Sequence, residues 1–273
     1  MPMDMFEKVL DDYSAMGGGA LSLTPTVGDV LLDRRLSHRM DAIRQRPKIG
    51  PVSFTTNAVL AAKWNKDELA SVVSGLRRIH VSIYGFDRAE YEQMSRRDRF
   101  SDMVAGIRRF IELRDKNTEI QLSFRLLKER SQDELSAWIR MQFGEELPFG
   151  AITHFANWGV LDTSKPLPGD AKWIEIRYNK GQCLIPLIAL QVSSDGSVSF
   201  CPCDDYQSVD ELELGNVRDT SLLDMYNTEK VARLYDFASH VPQFCRTCSF
   251  WRPLEDSAQI SNWLRDPTSS IGG

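Results

Sequence analysis

All five cysteines of this chain fall between positions 183 and 248, and the 182 residues before them contain none. Scattered structural cysteines rarely avoid two thirds of a sequence. The grouping therefore divides the chain into a cysteine-free scaffold and a short segment suited to metal. The odd count leaves any disulfide scheme with one thiol over. Cys245-Arg246-Thr247-Cys248 is a C-x2-C pair, whose turn brings two thiolates to one centre. Seventeen residues separate Cys183 from Cys201, and Ser194-Asp195-Gly196 between them is a hairpin signal that returns Cys201 towards Cys183. Four thiolates, from Cys183, Cys201, Cys245 and Cys248, suit either tetrahedral zinc or a [4Fe–4S] cluster. A zinc ribbon uses two C-x2-C pairs, and this sequence has one. Cys203 is the spare, read as a small buried hydrophobe, a free thiol or a substitute ligand.

The scaffold alternates between two periodicities. Phe6, Val9, Leu10 and Tyr13 give one apolar helix face, ended by Gly17-Gly18-Gly19 as a C-cap. Ala20–Thr24 reads as a strand. Leu32, Leu36, Met40 and Ile43 mark a second helix before the strand Pro51–Thr56. Asn65 with Glu68 is a capping-box signature for the helix of Leu69, Val72, Val73 and Leu76, and the strand Ile79–Tyr84 follows. Phe100, Val104, Ile107 and Ile111 form the next helix face, ahead of the strand Glu119–Leu127. Ser131 caps a helix with Leu135, Trp138 and Ile139, and Gly150–Phe155 is the last strand. Strands separated by helices of this length imply right-handed crossovers and a parallel α/β sheet, open or part of a barrel. The pattern opens on a helix, as though a strand before it were absent. Past a Pro/Gly-rich connector with a strand at Trp173–Tyr178, strands Ile188–Ser193 and Ser197–Pro202 flank the hairpin turn. Asp219–Phe237 reads as one helix, and Asp266–Gly273 as a frayed tail.

A net charge of −5 and a pI near 5.5 argue against a nucleic-acid or membrane-surface partner. The N-terminus has no basic n-region or apolar h-region, so the expected compartment is the cytoplasm, where disulfides are rare. His38, His80, His154 and His240 lie on separate elements and read as packed or solvated. Asp204 and Asp205 fit a solvated turn better than a substrate-facing role. No P-loop or G-x-S-x-G elbow is present.

The run C-x12-G-x4-C from Cys183 through Gly196 to Cys201, followed by the distant C-x2-C, resembles the auxiliary-cluster domain of radical S-adenosylmethionine (SAM) enzymes. That domain is known as SPASM, or Twitch when shortened. Leu214-Gly215-Asn216-Val217, Ser221-Leu222 and Met225-Tyr226 are similar to its intervening stretch. The resemblance implies one auxiliary [4Fe–4S] cluster on Cys183, Cys201, Cys245 and Cys248. Its nearest likeness is the radical dehydrogenase type that oxidises an aminocyclitol alcohol. Further up the chain, Val27-Gly28-Asp29-Val30-Leu31-Leu32 resembles the family's GGEPLL segment, with Asp29 for the usual Glu. Thr56-Asn57-Ala58 resembles its TNG, and Ser82 in Val81-Ser82-Ile83-Tyr84-Gly85 matches its vSidG strand. Arg125 stands where a cofactor-contacting residue sits. The resemblance thus implies that Gly28, Asp29, Asn57, Ser82 and Arg125 bind S-adenosylmethionine. Asn157-Trp158-Gly159 is similar to an NWgG run that follows the sixth strand in some members.

The C-x3-C-x2-C loop that holds the radical-generating cluster in this family is absent from residues 1–273. The expected fold is therefore α/β. It comprises a partial (β/α)6 radical-SAM-type barrel over 1–160 with its first strand missing, a connector over 161–182, a small α+β auxiliary iron–sulfur domain over 183–255, and a tail over 256–273. S-adenosylmethionine and a second [4Fe–4S] cluster are implied only where the missing segment is supplied. The expected partners are a small-molecule or peptide substrate, with self-association or a partner chain at the open barrel edge. The rival readings are a non-catalytic iron–sulfur binding protein and a zinc-stabilised module.

Overall fold

The computed structural model describes residues 1–25, 27–157, 161–175, 179, 181–202 and 211–254. Its larger layer is a parallel sheet of five strands in the order β1 (Gly19–Leu23), β2 (Ile49–Thr56), β3 (Arg78–Tyr84), β4 (Glu119–Arg125) and β5 (Phe149–Ile152). The connections are helical: α1 (Met3–Ala15) precedes β1, and α2 (Leu36–Arg44), α3 (Lys66–Val73), α4 (Arg88–Ser95), α5 (Phe100–Leu113) and α6 (Gln132–Phe143) follow in turn. Sequential order with each helix between neighbouring parallel strands is what right-handed crossovers produce. The main core lies between the sheet and its helices, where Phe54, Ile79, Ile83, Phe110, Leu122 and Phe124 are fully buried. No helix among the described residues is long and apolar enough to cross a membrane.

Several elements begin on the residues the local chemistry demands. Asn65 caps α3 by accepting from the amides of Asp67 and Glu68. Ser131 and Glu134 form a complete capping box at α6. After α1 the chain turns through Gly17, with the Gly18 amide donating to Tyr13 O at 2.9 Å, so Gly17 and Gly18 serve the helix end while Gly19 opens β1 with its amide on Lys48 O. Gly106 of α5 is required by a close approach: a Cβ there would stand 1.9 Å from Ala58 O. Ala58 itself adopts φ 62, the left-handed region. The loop after β2 is thus pressed against α5. Gly106→Ala is expected to cost about 1–3 kcal/mol through overpacking, read as a lowered urea midpoint, with Val104→Ala as a less damaging control in the same helix.

Four expected elements differ. The last strand, Gly150–Phe155, is divided: β5 pairs with β4 only as far as Arg125↔Ile152, where β4 ends. Beyond it β6 (His154–Phe155) pairs instead with β7 (Lys172–Trp173), a strand shorter than Trp173–Tyr178; residues 176–178 lie outside the described ones. The strand at Ile188–Ser193 is reduced to β8 (Gln191–Val192), because Pro186 starts a single helical turn, α7 (Ile185–Ile188). The helix over Asp219–Phe237 is two, α8 (Leu222–Tyr226) and α9 (Glu229–Tyr235). Thr228 breaks it, donating to Met225 O and accepting from the Val231 amide as a new N-cap.

The smaller layer is the antiparallel sheet β8, β9 (Ser197–Ser199) and β10 (Glu213–Asn216). Its hairpin turns at Asp195-Gly196, where Gly196 has φ +94 and leaves no room for a Cβ beside Asn216 Oδ1. A final turn, α10 (Gln243–Arg246), carries Cys245. Met5 of α1 packs with Val198, Val217, Leu222 and Met225, which joins the first helix to this second layer.

Candidate iron–sulfur centre and the adjoining cavity

The hairpin and α10 bring the four predicted ligands to one place. Cys183, Cys201 and Cys245 are buried and Cys248 is partly so, and none is in a disulfide. Cys183, Cys201 and Cys245 sit in a small apolar core with Phe200, Leu212, Leu234, Phe237 and Phe244. Backbone contacts hold the segments that carry Cys183, Cys245 and Cys248. Cys183 bridges Pro253, flanked by Leu184 N–H to Arg252 O at 2.7 Å and Leu254 N–H to Gln182 O at 2.9 Å. Glu211 accepts from the Gln243 and Phe244 amides and so seats the start of α10. Asn179 clamps the other end, its Nδ2 donating to Cys245 O at 2.7 Å and Cys248 O at 2.9 Å.

Burial pushes the Cys183, Cys245 and Cys248 thiols up, Cys248 to about 11 and the other two also above the usual thiol value. A second contribution is mutual: each would-be thiolate opposes the others. Three thiols that are costly to ionise, with the Cys201 thiol opposing each of them, are the donor set a cationic centre stabilises. Among the described residues no three Cys, His, Asp or Glu side chains converge on a single ion. A lone zinc draws its sulfurs to about 2.3 Å from one point, whereas a [4Fe–4S] cluster is held by four thiolates spread over its irons. Backbone amides of Ile185 and Arg252 point at the Cys183 sulfur, and that of Phe250 at Cys248. Such donors are usual around cluster sulfurs. Cys203, Asp204 and Asp205 lie outside the described residues.

Beside this centre, across the carboxyl ends of the parallel strands, lies a cavity of about 1010 Å³. Gly28, Asp29, Asn57, Ser82 and Arg125, drawn from four separate loops and strand ends, all line it. Carboxyl ends of parallel strands are where open α/β sheets take ligands. The far wall comes from the second layer, including Gln191, Tyr226 and Pro202, which adjoins Cys201.

The roles within the cavity divide. Asp29 is buried and its carboxylate is spent on the protein: it accepts from the Thr56 hydroxyl at 2.9 Å, the Asn57 amide at 2.7 Å and the Leu31 amide at 2.9 Å. It ties the Gly28 loop to the end of β2. Asn57 Oδ1 accepts from the Val59 amide at 3.0 Å. Arg125 lies over the Tyr84 ring at 5.5 Å, and its buried Nη1 has no acceptor among the described residues. A buried unsatisfied guanidinium nitrogen is a donor waiting for an oxygen ligand.

Asn157 is placed away from this cavity. Its Oδ1 accepts from Ser249 Oγ at 2.7 Å, and its amide donates to that oxygen at 2.6 Å, both residues being buried. It fastens the scaffold to the residue after Cys248; Trp158 and Gly159 lie outside the described residues. Asn179, Glu211 and Ser249 gave no signal in the sequence, because each acts through backbone or a partner far along the chain.

A sheet with this strand order, a cavity at its strand ends and a four-thiol centre in an appended small domain define a radical-SAM-type scaffold with an auxiliary cluster domain. Residues 183–249 match the SPASM family, an iron–sulfur cluster-binding domain. Among solved structures, the chain resembles BtrN in complex with AdoMet and 2-DOIA, with a TM-score of 0.55, 13% identity, and 91% of this chain and 80% of that one covered. It also resembles anSMEcpe with bound AdoMet, with a TM-score of 0.53, 16% identity, and 91% and 76% covered. In sequence it is 26% identical over 153 residues to the GTP 3',8-cyclase of Pasteurella multocida, covering 54% of this chain and 44% of that protein. It is 38% identical over 92 residues to the GTP 3',8-cyclase of Mycobacterium ulcerans, covering 33% and 24%. The chain thus spans less than half the length of these curated relatives. It has the radical SAM fold, with a SPASM domain at its C-terminal side.

Proposed function

We propose that this chain binds S-adenosylmethionine in the cavity at the strand ends and one [4Fe–4S] cluster at Cys183, Cys201, Cys245 and Cys248, in the service of a radical oxidation or modification of a small molecule or peptide. The observation that carries this reading is the single cavity shared by Gly28, Asp29, Asn57, Ser82 and Arg125, whose far wall adjoins a cluster ligand. The AdoMet bound in two of the similar structures supports it. When bound, S-adenosylmethionine supplies a carbon-centred radical on reductive cleavage, and the auxiliary cluster supplies an electron acceptor or a grip on substrate.

The chain's own residues do the rest. Asp29 holds the Gly28 loop, and Asn57 keeps its side-chain nitrogen as a donor. Arg125 offers Nη1 to the carboxylate of the methionine moiety. Residues 1–273 hold no C-x3-C-x2-C loop, so the reading assigns the radical-generating cluster to sequence joined to this chain or to a partner chain. Its seat is the edge strand β1, where Ala20 to Leu23 all line the cavity.

Anaerobic reconstitution with iron and sulfide tests the cluster. About four iron atoms per chain and a broad brown absorption are expected, whereas one zinc and no iron would make the segment a zinc module. Arg125→Gln tests the cavity. Loss of a charge-assisted bond of roughly 1.5–3 kcal/mol weakens S-adenosylmethionine about ten- to hundredfold, measured by calorimetry on the reconstituted protein. An unchanged affinity removes Arg125 from the site. A loaded cluster with no S-adenosylmethionine binding at all favours the non-catalytic iron–sulfur protein.

A further inference from the structure

A second hollow, of about 410 Å³, opens beside Cys248 and is lined by His154, Asn179, Ser249 and Arg252 among others. Arg252 is the residue of interest. Its backbone runs antiparallel to the Cys183 segment through the 2.7 Å bond from Leu184 N–H. Its guanidinium lies over the Phe250 ring at 4.8 Å and gives Nη1 to Trp251 O at 3.1 Å. Its Nε is buried with no acceptor. Among the described residues no carboxylate pairs with it, although Glu175 lines the same hollow. The positive charge is felt by the Cys183 and Cys248 thiols.

A guanidinium with a buried spare N–H and, among the described residues, no carboxylate partner costs desolvation unless something anionic answers it. The four-thiol centre is the anion on hand once it is loaded. We infer that Arg252 is a redox-positioning residue, which directs its charge and its Nε–H at the auxiliary cluster and raises that cluster's reduction potential. The electrostatics give the sign. One-electron reduction adds negative charge to a cluster that is already anionic, so a fixed cation stabilises the reduced form more than the oxidised one. Net charge and hydrogen bonds to the sulfurs are established levers on such potentials. The three backbone amides aimed at Cys183 and Cys248 act in the same direction, and Arg252 adds a full charge to them. An auxiliary cluster tuned upward in this way accepts an electron more readily from a reducing substrate radical. The inference rests on the proposed [4Fe–4S] assignment.

The test is a dithionite redox titration of reconstituted protein followed by electron paramagnetic resonance, with Arg252→Met and Arg252→Lys beside the parent. Arg252→Met is expected to favour the oxidised form at least tenfold at a given potential, a fall of about 59 mV for one electron. Arg252→Lys, which keeps the charge and loses the planar fork, is expected to fall between. Midpoints matching the parent in both variants, with equal iron and sulfide, overturn the inference. So does failure of both variants to load, which makes Arg252 a folding residue. A parent that takes up no iron sinks the cluster assignment itself, a result distinct from either.

Discussion

Replacing Cys201 by alanine is expected to abolish the cluster, with iron and sulfide falling to near zero after anaerobic reconstitution while the parallel sheet stays folded. Cys201 is buried between the hairpin and α10, and its thiol is among the groups that oppose ionisation of Cys183, Cys245 and Cys248. Those four sulfurs are satisfied as anions only around a shared cation. With one corner gone, the remaining three face an open coordination position at an apolar wall. The small core that surrounds them is limited to residues such as Phe200, Leu212, Leu234 and Phe244. Metal binding contributes on the order of 10 kcal/mol to the folding of comparably small structural zinc modules. The second layer is therefore expected to unfold separately in the variant, as an early transition in thermal circular dichroism that the loaded parent lacks. Cys203→Ala is the control. Full loading in that variant and none in Cys201→Ala supports the ligand set, and the reverse would put Cys203 in the place of Cys201.

How much of this was legible beforehand depended on whether the determining contacts were local. Capping is local, and Asn65 and Ser131 announced α3 and α6 from their own side chains and the residues three positions on. The parallel strands were legible from short stretches between helix periods, to within a residue or two at most ends. The failures have non-local or competing causes. Where β5 ends is decided by where its partner β4 ends, which no window over Gly150–Phe155 contains. The division of α8 from α9 was written locally in Thr228, but Leu222, Met225 and Leu234 keep a helical spacing across it, and periodicity outweighed the cap. At the candidate site, cysteine spacing and the resemblance pointed to residues by type. The parts with no such mark were those that hold the ligand segments still: Asn179 clamps a turn 66 residues away, and Asn157 meets Ser249 across 92. Arg252 had one weak sign, a cation four positions after Cys248. Its unpaired Nε emerged only once the chain was folded.

Asp29 gives the sharpest separation between holding a site and acting in it. By resemblance its acid faces the ligand, yet its two oxygens are occupied by the Thr56 hydroxyl and the amides of Asn57 and Leu31. Asp29→Ala strands those three donors in a region where Thr56 and Leu31 are almost wholly buried. Each orphaned group costs about 1–3 kcal/mol, so the variant is expected to lose on the order of 3–5 kcal/mol, a large share of the roughly 5–15 kcal/mol that holds a domain together. Asp29→Asn keeps one acceptor and turns the other into a donor facing an N–H, and about half that loss is expected. Urea midpoints and S-adenosylmethionine affinity should fall together across the two variants, because the Gly28 and Asn57 segments lose their tie before any ligand arrives. The opposite pattern, parental stability with binding abolished, would mean that the carboxylate leaves its three partners to meet the ligand directly. The hydrogen bonds around Asp29 favour the first outcome: opening them exposes buried donors at the same moment that a ligand has to be gripped.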